Sequence, residues 1–378
     1  MLIHLIGLVA FCYTAVRLIP SLPFRGSVKL AVAALMLAAS QYHFISRHVL
    51  GSLASPELPT AVLAAQGWLF FSMALLFVMC VGRDAALVVF WLARQAGAKA
   101  SLPGSKPLQA ALMLVLALSF SAYGVWQAVR IPAPRSLEIT LPRLPAELDG
   151  FTLAHITDPH ASALLRGPRM RSIVDTVMAM KPDMILMSGD LVDGTVDARR
   201  EDVAAMGEMA APHGVYSCPG NHEYFAEYAA WMEHFAALGI TMLRNSHVVA
   251  DVKGVPLVIA GTTDPVSSRF GLPGPDADAA LAGSPDQAVR ILLEHRPGSA
   301  RENAAKGVDL QLSGHTHGGH IVGFDRVVAQ FNNGFVSGLY DLGPMRLYVS
   351  NGAGLWNGFP IRLGVPSEVT RIVLRQAG

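Results

Sequence analysis

The stretch Ser313-Gly314-His315-Thr316-His317-Gly318-Gly319-His320 places three histidines directly after a short apolar run. Four further polar clusters also follow apolar runs: Thr157-Asp158-Pro159-His160, Ser188-Gly189-Asp190-Leu191-Val192-Asp193, Pro219-Gly220-Asn221-His222-Glu223 and Glu294-His295-Arg296-Pro297. In α/β sheets, ligands bind at the carboxyl ends of the strands, where the loops converge on one crevice. We therefore expect the five clusters to meet at a single site.

The apolar runs before these clusters predict buried strands. The predicted strands are Phe151–Thr157, Met184–Met187, Val215–Cys218, Leu257–Ala260, Ile291–Leu293 and Leu310–Leu312. Segments with a helical period lie between several of them, at Met170–Met180, Arg200–Ala211 and Phe225–Leu238. This alternation predicts an α/β sandwich with sheet strands at its centre.

The residue types of the clusters indicate a metal site. Imidazole and carboxylate groups without thiolates suit Mn²⁺, Fe or Zn²⁺. Seven such ligands exceed what one ion needs, and two ions roughly 3.5–4 Å apart recur in enzymes that cleave phosphate esters. Taken singly, each cluster is weak evidence, since Asn221 and Glu223 could equally cap a helix. Their order and their placement at strand ends favour a shared site. His155, His213, His234 and His247 lack such a setting and are interpreted as ordinary core or surface histidines.

The composition divides the chain into two different halves. The 378 residues include 52% hydrophobic and 15% charged residues, well below the roughly 25% charge of a soluble protein. Nine basic and two acidic residues fall within positions 1–130, whereas the remainder holds twenty basic and twenty-six acidic residues. The three cysteines, Cys12, Cys80 and Cys218, form no disulfide or paired-cysteine zinc pattern. These figures exclude a disordered chain, a small disulfide scaffold and a wholly soluble enzyme.

The first half predicts about four membrane-spanning helices, at about residues 2–20, 28–46, 62–93 and 108–129, because a span needs about 20 apolar residues. The first lacks the basic start and the cleavage site of a signal peptide and is interpreted as an uncleaved anchor. Arg83 and Asp84 lie near the middle of the third. As neighbours on a helix they should pair poorly with each other, and the simplest interpretation is a structural polar contact.

Basic residues predict the orientation of the spans. The first and third loops with their margins hold Arg17, Arg25, Lys29, Arg94, Lys99 and Lys106. The second loop offers only Arg47, so the first and third loops are placed in the cytoplasm and everything after residue 130 outside, although Arg130 and Arg135 weaken the argument. Four prolines between Ile131 and Pro145 mark the exit from the membrane. The predicted domains are a transmembrane domain over 1–130, a linker with the first strand over 131–148, and a second domain over 149–378.

The ordered set of clusters resembles the calcineurin-like metallophosphoesterase superfamily over about residues 136–378. The motifs that carry the resemblance are Asp158-x-His160, Gly189-Asp190-x-x-Asp193, Gly220-Asn221-His222-Glu223, His295-x-Pro297 and Gly314-His315-x-His317. The stretch from Gly314 to Gly319, followed by Ser337-Gly338-Leu339-Tyr340 and Leu347-Tyr348-Val349-Ser350, further resembles its bacterial, membrane-tethered phosphodiesterase branch. The resemblance implies a sandwich of two β-sheets flanked by helices.

The resemblance also implies roles for individual residues. One divalent ion would be held by Asp158, His160, Asp190 and His317, and the other by Asp190, Asn221, His295 and His315, with Asp190 as the bridge. His222 would stand beside the metals and donate to the phosphate or the leaving oxygen. Two positions depart from the family pattern. Pro159 replaces a leucine and should be harmless, whereas His320 replaces a glutamine and is a candidate substrate contact, the alternative being a surface polar substitution.

The function expected is that of a membrane-anchored phosphoesterase using two divalent ions, Mn, Fe or Zn, and a hydroxide that bridges them. The leading substrate hypothesis is a lipid or envelope-linked phosphodiester, because tethering raises the local concentration of lipid-linked phosphates. The alternatives are a phosphomonoesterase or nucleotide hydrolase and, less favoured, a non-catalytic metal-binding membrane sensor. The partners expected are the bilayer and a phosphate ester, with no nucleic acid and no obligate protein. The location expected is the bacterial inner membrane, with the catalytic domain on the periplasmic side.

Overall fold

The structure is a computed structural model and describes residues 2–52 and 55–377. The chain divides into two compact units. The first comprises residues 1–126 together with 357–361, and the second comprises residues 127–356 together with 362–378. The predicted domain bounds of 1–130, 131–148 and 149–378 remain a prediction.

The first unit is helical. Its helices are α1 (Leu2–Leu18), α2 (Gly26–Ser40), α3 (Tyr42–His48), α4 (Thr60–Gln95) and α5 (Lys106–Val129). Among the described residues, α1, α4 and α5 are long and apolar enough to cross a membrane, and α2 with α3 would make a fourth span with a bend of 60°. Large apolar side chains such as Val16, Leu30 and Val78 are more than 60% exposed on these helices, which suits contact with lipid rather than water.

Asp84 is the centre of a polar cluster within the helical unit. Its carboxylate accepts a hydrogen bond from the Tyr13 hydroxyl at 2.7 Å and lies 2.8 Å from Arg17 Nε. Arg83 Nη2 lies 3.2 Å from the other oxygen of Asp84. The expectation that Arg83 and Asp84 pair poorly is therefore wrong, because the long arginine side chain reaches back to its neighbour. The cluster provides partners for the Asp84 carboxylate, whose charge would cost free energy at membrane depth if it were unpaired.

Residues 357–361 pack among the helices of the first unit. The Tyr42 hydroxyl donates to the Asn357 carbonyl at 2.5 Å, and the Phe71 and Phe359 rings meet edge to face at 4.7 Å. A side chain at Gly67 would meet Pro360 at 2.5 Å, so this glycine of α4 permits a close approach. No local sequence pattern predicted that this late segment belongs with the helices.

The second unit is a sandwich of two sheets. Its described strands are β1 (Ala133–Leu141), β2 (Thr152–Ile156), β3 (Met184–Ser188), β4 (Val215–Cys218), β5 (Thr241–Met242), β6 (Ser246–Val252), β7 (Val255–Gly261), β8 (Val289–Leu293), β9 (Leu310–Ser313), β10 (Gly338–Leu342), β11 (Met345–Val349) and β12 (Glu368–Gln376). The first sheet has the order β1-β12-β2-β3-β4-β5 and the second the order β10-β11-β9-β8-β7-β6. Strands β2 to β5 run parallel, as do β7, β8, β9 and β11.

Three apolar layers hold the sandwich together. One fills the space between the sheets, with Leu153 and Leu186 from the first sheet and Ile259 and Leu312 from the second all buried. The outer layers pack the sheets against five of the described helices of this unit, which are α6 (Gly167–Ala179), α7 (Val196–Val203), α8 (Tyr228–Ala237), α9 (Ala277–Leu281) and α10 (Ala300–Ala305). The sixth described helix, α11 (Asp325–Gln330), has no buried residue. The predicted fold class, a helical membrane unit followed by two sheets flanked by helices, is confirmed.

The six predicted strands correspond to β2, β3, β4, β7, β8 and β9, all buried in the sandwich. The predicted helix over Arg200–Ala211 instead begins at Val196 and ends at Val203, where a 3-10 helix, Ala204–Glu208, continues the chain. Strands β10 and β12 were not predicted, because charged residues interrupt their apolar positions, Asp341 in β10 and Arg371 in β12.

Candidate metal centre

The candidate ligands follow five neighbouring strand ends. Asp158 and His160 follow β2, Asp190 follows β3, Asn221 follows β4, His295 follows β8, and His315 and His317 follow β9. Because these strands are parallel within their sheets, their carboxyl ends bring loops that are distant in sequence to one edge of the sandwich. The seven predicted ligands are all buried apart from a partly exposed His315.

The first group comprises Asp158, His160 and His317, whose ligand atoms lie within 4.8 Å of one another. Asp158 Oδ1 is 3.8 Å from His160 Nε2 and 3.6 Å from His317 Nε2. The Asp158 carboxylate also accepts the backbone N–H of His315 at 3.0 Å, which ties the loop after β2 to the loop after β9.

The second group comprises Asp190, His295 and His315, again within 4.8 Å. Asp190 Oδ2 lies 3.2 Å from His295 Nε2 and 3.6 Å from His160 Nε2 of the first group. The Asp190 carboxylate therefore links the second group to the first. Its other oxygen accepts the backbone N–H of His222 at 2.8 Å, which fixes its orientation.

Several buried polar atoms lack a hydrogen-bond partner among the described residues. They include His160 Nε2, His295 Nε2 and Asn221 Oδ1. His295 Nδ1 donates to the Ser188 carbonyl at 2.7 Å, so in the neutral ring the lone pair is on Nε2, beside Asp190. An unpaired polar atom is costly in a protein interior unless something binds it. These atoms therefore fit divalent metal ions.

The charges of the site favour bound cations. Burial alone would raise the pKa of Asp190, but His295, His222 and His160 hold it well below its usual range. Burial would lower the pKa of His295, yet the Asp190 carboxylate raises it to about 10, so this environment stabilises positive charge. Burial instead lowers the pKa of His315 to about 3, which leaves a neutral imidazole able to bind metal.

His222 is joined to a carboxylate of the loop after β3. Its Nδ1 lies 2.5 Å from Asp193 Oδ1, and the same oxygen is 3.3 Å from His160 Nδ1. His160, Asp193 and His222 form a third compact group, but His160 Nε2 faces Asp190, so its ring links this group to the first. Burial would lower the pKa of His222, whereas Asp193 raises it above the usual value. The rings of Phe225 and Trp356 lie 5.3 and 5.7 Å from that of His222.

The backbone of the site is strained at the candidate ligands. Positive φ angles of 46–68° occur at Asp158, His160, Asp190, His315 and His317. Non-glycine residues adopt this region rarely, and such strain clusters at functional sites. The glycines beside them allow close approach: a Cβ on Gly220 would lie 2.2 Å from Asp190 Oδ1, and one on Gly314 would lie 2.1 Å from Asp158 Oδ2.

Two residues quoted in the sequence motifs prove to organise the site. Asp193 connects His160 and His222, as described above. Glu223 is fully buried and accepts the backbone N–H groups of Leu191 at 2.5 Å, Gly220 at 2.7 Å and Asp190 at 3.2 Å. Glu223 thus holds the loops after β3 and β4 together rather than capping a helix. The signal in the sequence was their position in the same motifs as Asp190 and His222.

His320 lies beside the first group. Its ring centroid is 4.8 Å from that of His317, and the residue is buried, with φ of 60°. The alternative that it is an ordinary surface substitution is therefore wrong. The structure brings the predicted ligands, His222 and His320 into one region of the second unit.

Comparison with known proteins identifies the class. A family model for calcineurin-like phosphoesterase matches residues 151–319. A "Transmembrane protein with metallophosphoesterase domain" of Danio rerio is 31% identical over 295 residues, which cover 76% of this chain and 67% of the relative. The chain belongs to the metallophosphoesterase family. It is accordingly a phosphoric ester hydrolase, as the motifs predicted.

Other relatives extend the comparison to bacteria. An uncharacterized metallophosphoesterase of Helicobacter pylori is 33% identical, covering 66% of this chain and 66% of its own. A solved NAD nucleotidase of Haemophilus influenzae aligns over 54% of this chain and 50% of its own, with 18% identity and a TM-score of 0.37. This chain spans about two thirds of the length of the curated relatives named here.

Proposed function

We propose that this protein is a membrane-anchored phosphodiesterase that uses two divalent ions, Mn, Fe or Zn. The position of the Asp190 carboxylate carries the proposal: one oxygen lies 3.2 Å from His295 of its own group and 3.6 Å from His160 of the first group. A shared carboxylate is how proteins hold two ions close together. Asp158, His160 and His317 would bind one ion, and Asn221, His295 and His315 the other.

When bound, the two ions would supply a nucleophile by lowering the pKa of water and would neutralise the phosphoryl oxygens. The chain supplies the rest of the chemistry. Asp190 is oriented by the N–H of His222, and Glu223 fixes the loops that carry both residues. This preorganisation spares the site a rearrangement during the reaction.

His222 is the proton donor in this proposal. Asp193 accepts at Nδ1, so the opposite ring nitrogen is free to face a leaving oxygen. The Asp193 carboxylate also raises the pKa of His222, which favours the protonated ring. A positioned general acid typically contributes about 10²–10⁴-fold to the rate.

The anchor supports a lipid or envelope-linked phosphodiester as substrate, because it confines the site to a membrane surface. The excess of basic residues in the first and third predicted loops supports placing the second unit on the outer face of a bacterial inner membrane. A reporter enzyme fused to the carboxyl terminus tests the orientation. If the fused reporter shows activity only on the cytoplasmic side, that result would contradict the outward placement of the second unit.

The experiment that tests the function combines metal analysis with turnover in detergent. We expect Asp190→Asn to lose both metal and activity, and His222→Gln to keep its metal while turnover of a chromogenic diester falls about 10²–10⁴-fold. His234→Gln is the matched control, since His234 lies on α8 outside the groups described above. Wild-type turnover by the His222 variant would contradict its role, and faster hydrolysis of a monoester than of chromogenic and lipid diesters would contradict the substrate class.

A further inference from the structure

The segment after His320 exposes a row of large apolar side chains. Val322 is 70% exposed and Phe331 is 82% exposed, and Phe324 and Val327 are exposed as well. Phe324, Val327 and Phe331 are spaced three and four residues apart along α11 and its two ends, so they share one face. We call Val322, Phe324, Val327 and Phe331 the apolar ridge.

The apolar ridge is attached closely to the metal centre. A side chain on Gly319 would meet the backbone of Asp325 at 2.6 Å, so the start of α11 packs directly on the turn that carries His317. Asp325 also accepts the N–H of Gly323 at 2.7 Å. The ridge is therefore a fixed part of the site's rim rather than a loose loop.

Its other attachment is to the chain that leaves the helical unit. The Val322 N–H donates to the Leu363 carbonyl at 3.0 Å, and the Leu363 N–H donates to the His320 carbonyl at 2.9 Å. Leu363 lies two residues after Ile361, the last residue of the segment that clusters with the apolar helices. The segment that pairs with the ridge therefore follows, in sequence, directly after residues that pack among the apolar helices.

The chemistry of the ridge suits the interfacial zone of a bilayer. Phenylalanine and valine side chains enter the boundary between headgroups and acyl chains, and basic residues beside them attract lipid phosphates. Arg326 is exposed between Phe324 and Val327, whereas the acid of the segment, Asp325, is half-buried and hydrogen-bonded. The surfaces of soluble proteins seldom expose several large apolar side chains next to one another.

We propose that the apolar ridge inserts into the surface of the lipid bilayer and holds the rim of the metal centre at the headgroups. The contact of the apolar ridge with the bilayer does not depend on catalysis. A consequence of this contact is that the site takes a lipid-borne phosphoester directly from the membrane. This consequence rests on the proposed function.

Site-specific fluorescence in nanodiscs tests the contact. Phe331→Cys, in a Cys12→Ser background, is labelled with an environment-sensitive dye, and nitroxide lipids serve as quenchers. The matched control is Val249→Cys on β6, which is 47% exposed and lies on the edge of the second sheet opposite β10. We expect a blue shift and a loss of fluorescence for the residue 331 label alone. The proposal is overturned if the nitroxide lipids do not quench the label at residue 331. It is also overturned if the label is quenched only when the protein is crosslinked to a second copy.

A second measurement separates this inference from the proposed function. Phe331→Ser should keep wild-type metal content and wild-type turnover of a soluble diester, but lose about tenfold in turnover of a lipid diester in vesicles, the factor expected for one buried aromatic side chain. Quenching at residue 331 with no loss of lipid turnover would overturn delivery from the bilayer while leaving the contact in place. Inactive wild-type protein with a quenched label would overturn only the proposed function.

Discussion

Asp193 Oδ1 lies 2.5 Å from His222 Nδ1 and 3.3 Å from His160 Nδ1. One buried carboxylate thus orients both the proposed proton donor and a proposed metal ligand. The contact couples the geometry of the metal centre to the position of the donor, because neither ring can rotate without losing the same partner.

The first prediction concerns this carboxylate. In Asp193→Asn we expect metal to remain bound, since the ligand atom of His160 is its other nitrogen, while kcat falls about 10²–10³-fold because the donor is neither charged nor aligned. KM should change little. Metal content and steady-state kinetics check both statements. If the variant loses its metal, Asp193 acts chiefly through His160 and not through His222.

The second prediction concerns the space beside the central carboxylate. Gly220→Ala places a Cβ 2.2 Å from Asp190 Oδ1 and 2.4 Å from the Asp190 nitrogen, so the carboxylate must move. We expect loss of metal and of turnover. Gly274→Ala is the control, because no atom of the described residues lies within 4 Å of a Cβ there. Metal stoichiometry close to that of wild type in the Gly220 variant would mean that the carboxylate tolerates displacement.

The third prediction concerns Glu368 at the start of β12. Its buried carboxylate accepts hydrogen bonds from Tyr348 at 2.7 Å, Arg135 at 3.0 Å and the Asn351 N–H at 3.1 Å. Burial would raise the pKa of Glu368, but these donors hold it below the usual value of 4.5. The stabilisation is therefore complete above the unfolded pKa and is lost as pH falls through the lower, folded pKa.

Glu368→Gln should accordingly lower the free energy of unfolding of the second unit by about 2–4 kcal/mol near neutral pH. The difference from wild type should shrink as the solution is acidified below about pH 4.5. Thermal unfolding in detergent across a pH series measures both effects. Glu138→Gln is the control, because that carboxylate pairs with Arg375 at the surface. An equal loss in the two variants would show that burial of Glu368 contributes nothing.

The fourth prediction concerns the departure from the family pattern at His320. His320→Gln should retain its metal, because the His320 ring lies 4.8 Å from that of His317 but His320 belongs to none of the three compact groups found among the described residues. We expect KM for a diester to change by about 3- to 10-fold, the effect of one altered hydrogen bond, with kcat close to wild type. Kinetics on purified protein decide this, and an unchanged KM would remove His320 from the substrate contacts.

The sequence alone predicted those elements and site residues that depend on neighbouring positions in the chain. The apolar runs predicted β2, β3, β4, β7, β8 and β9, and the polar clusters after them predicted which side chains would meet at the strand ends. Long apolar segments predicted the helices of the first unit. These features depend on periodicity and residue type within about ten positions, which a single sequence displays directly.

Only the tertiary structure decided how Asp193 and Glu223 connect loops more than 25 residues apart, why residues 357–361 cluster with the helices, and where β12 enters the first sheet. It also showed that the apolar residues after His320 are exposed. These relationships arise when two sheets and their helices pack together. Residues distant in sequence then share one environment, and no local pattern records which of them will touch.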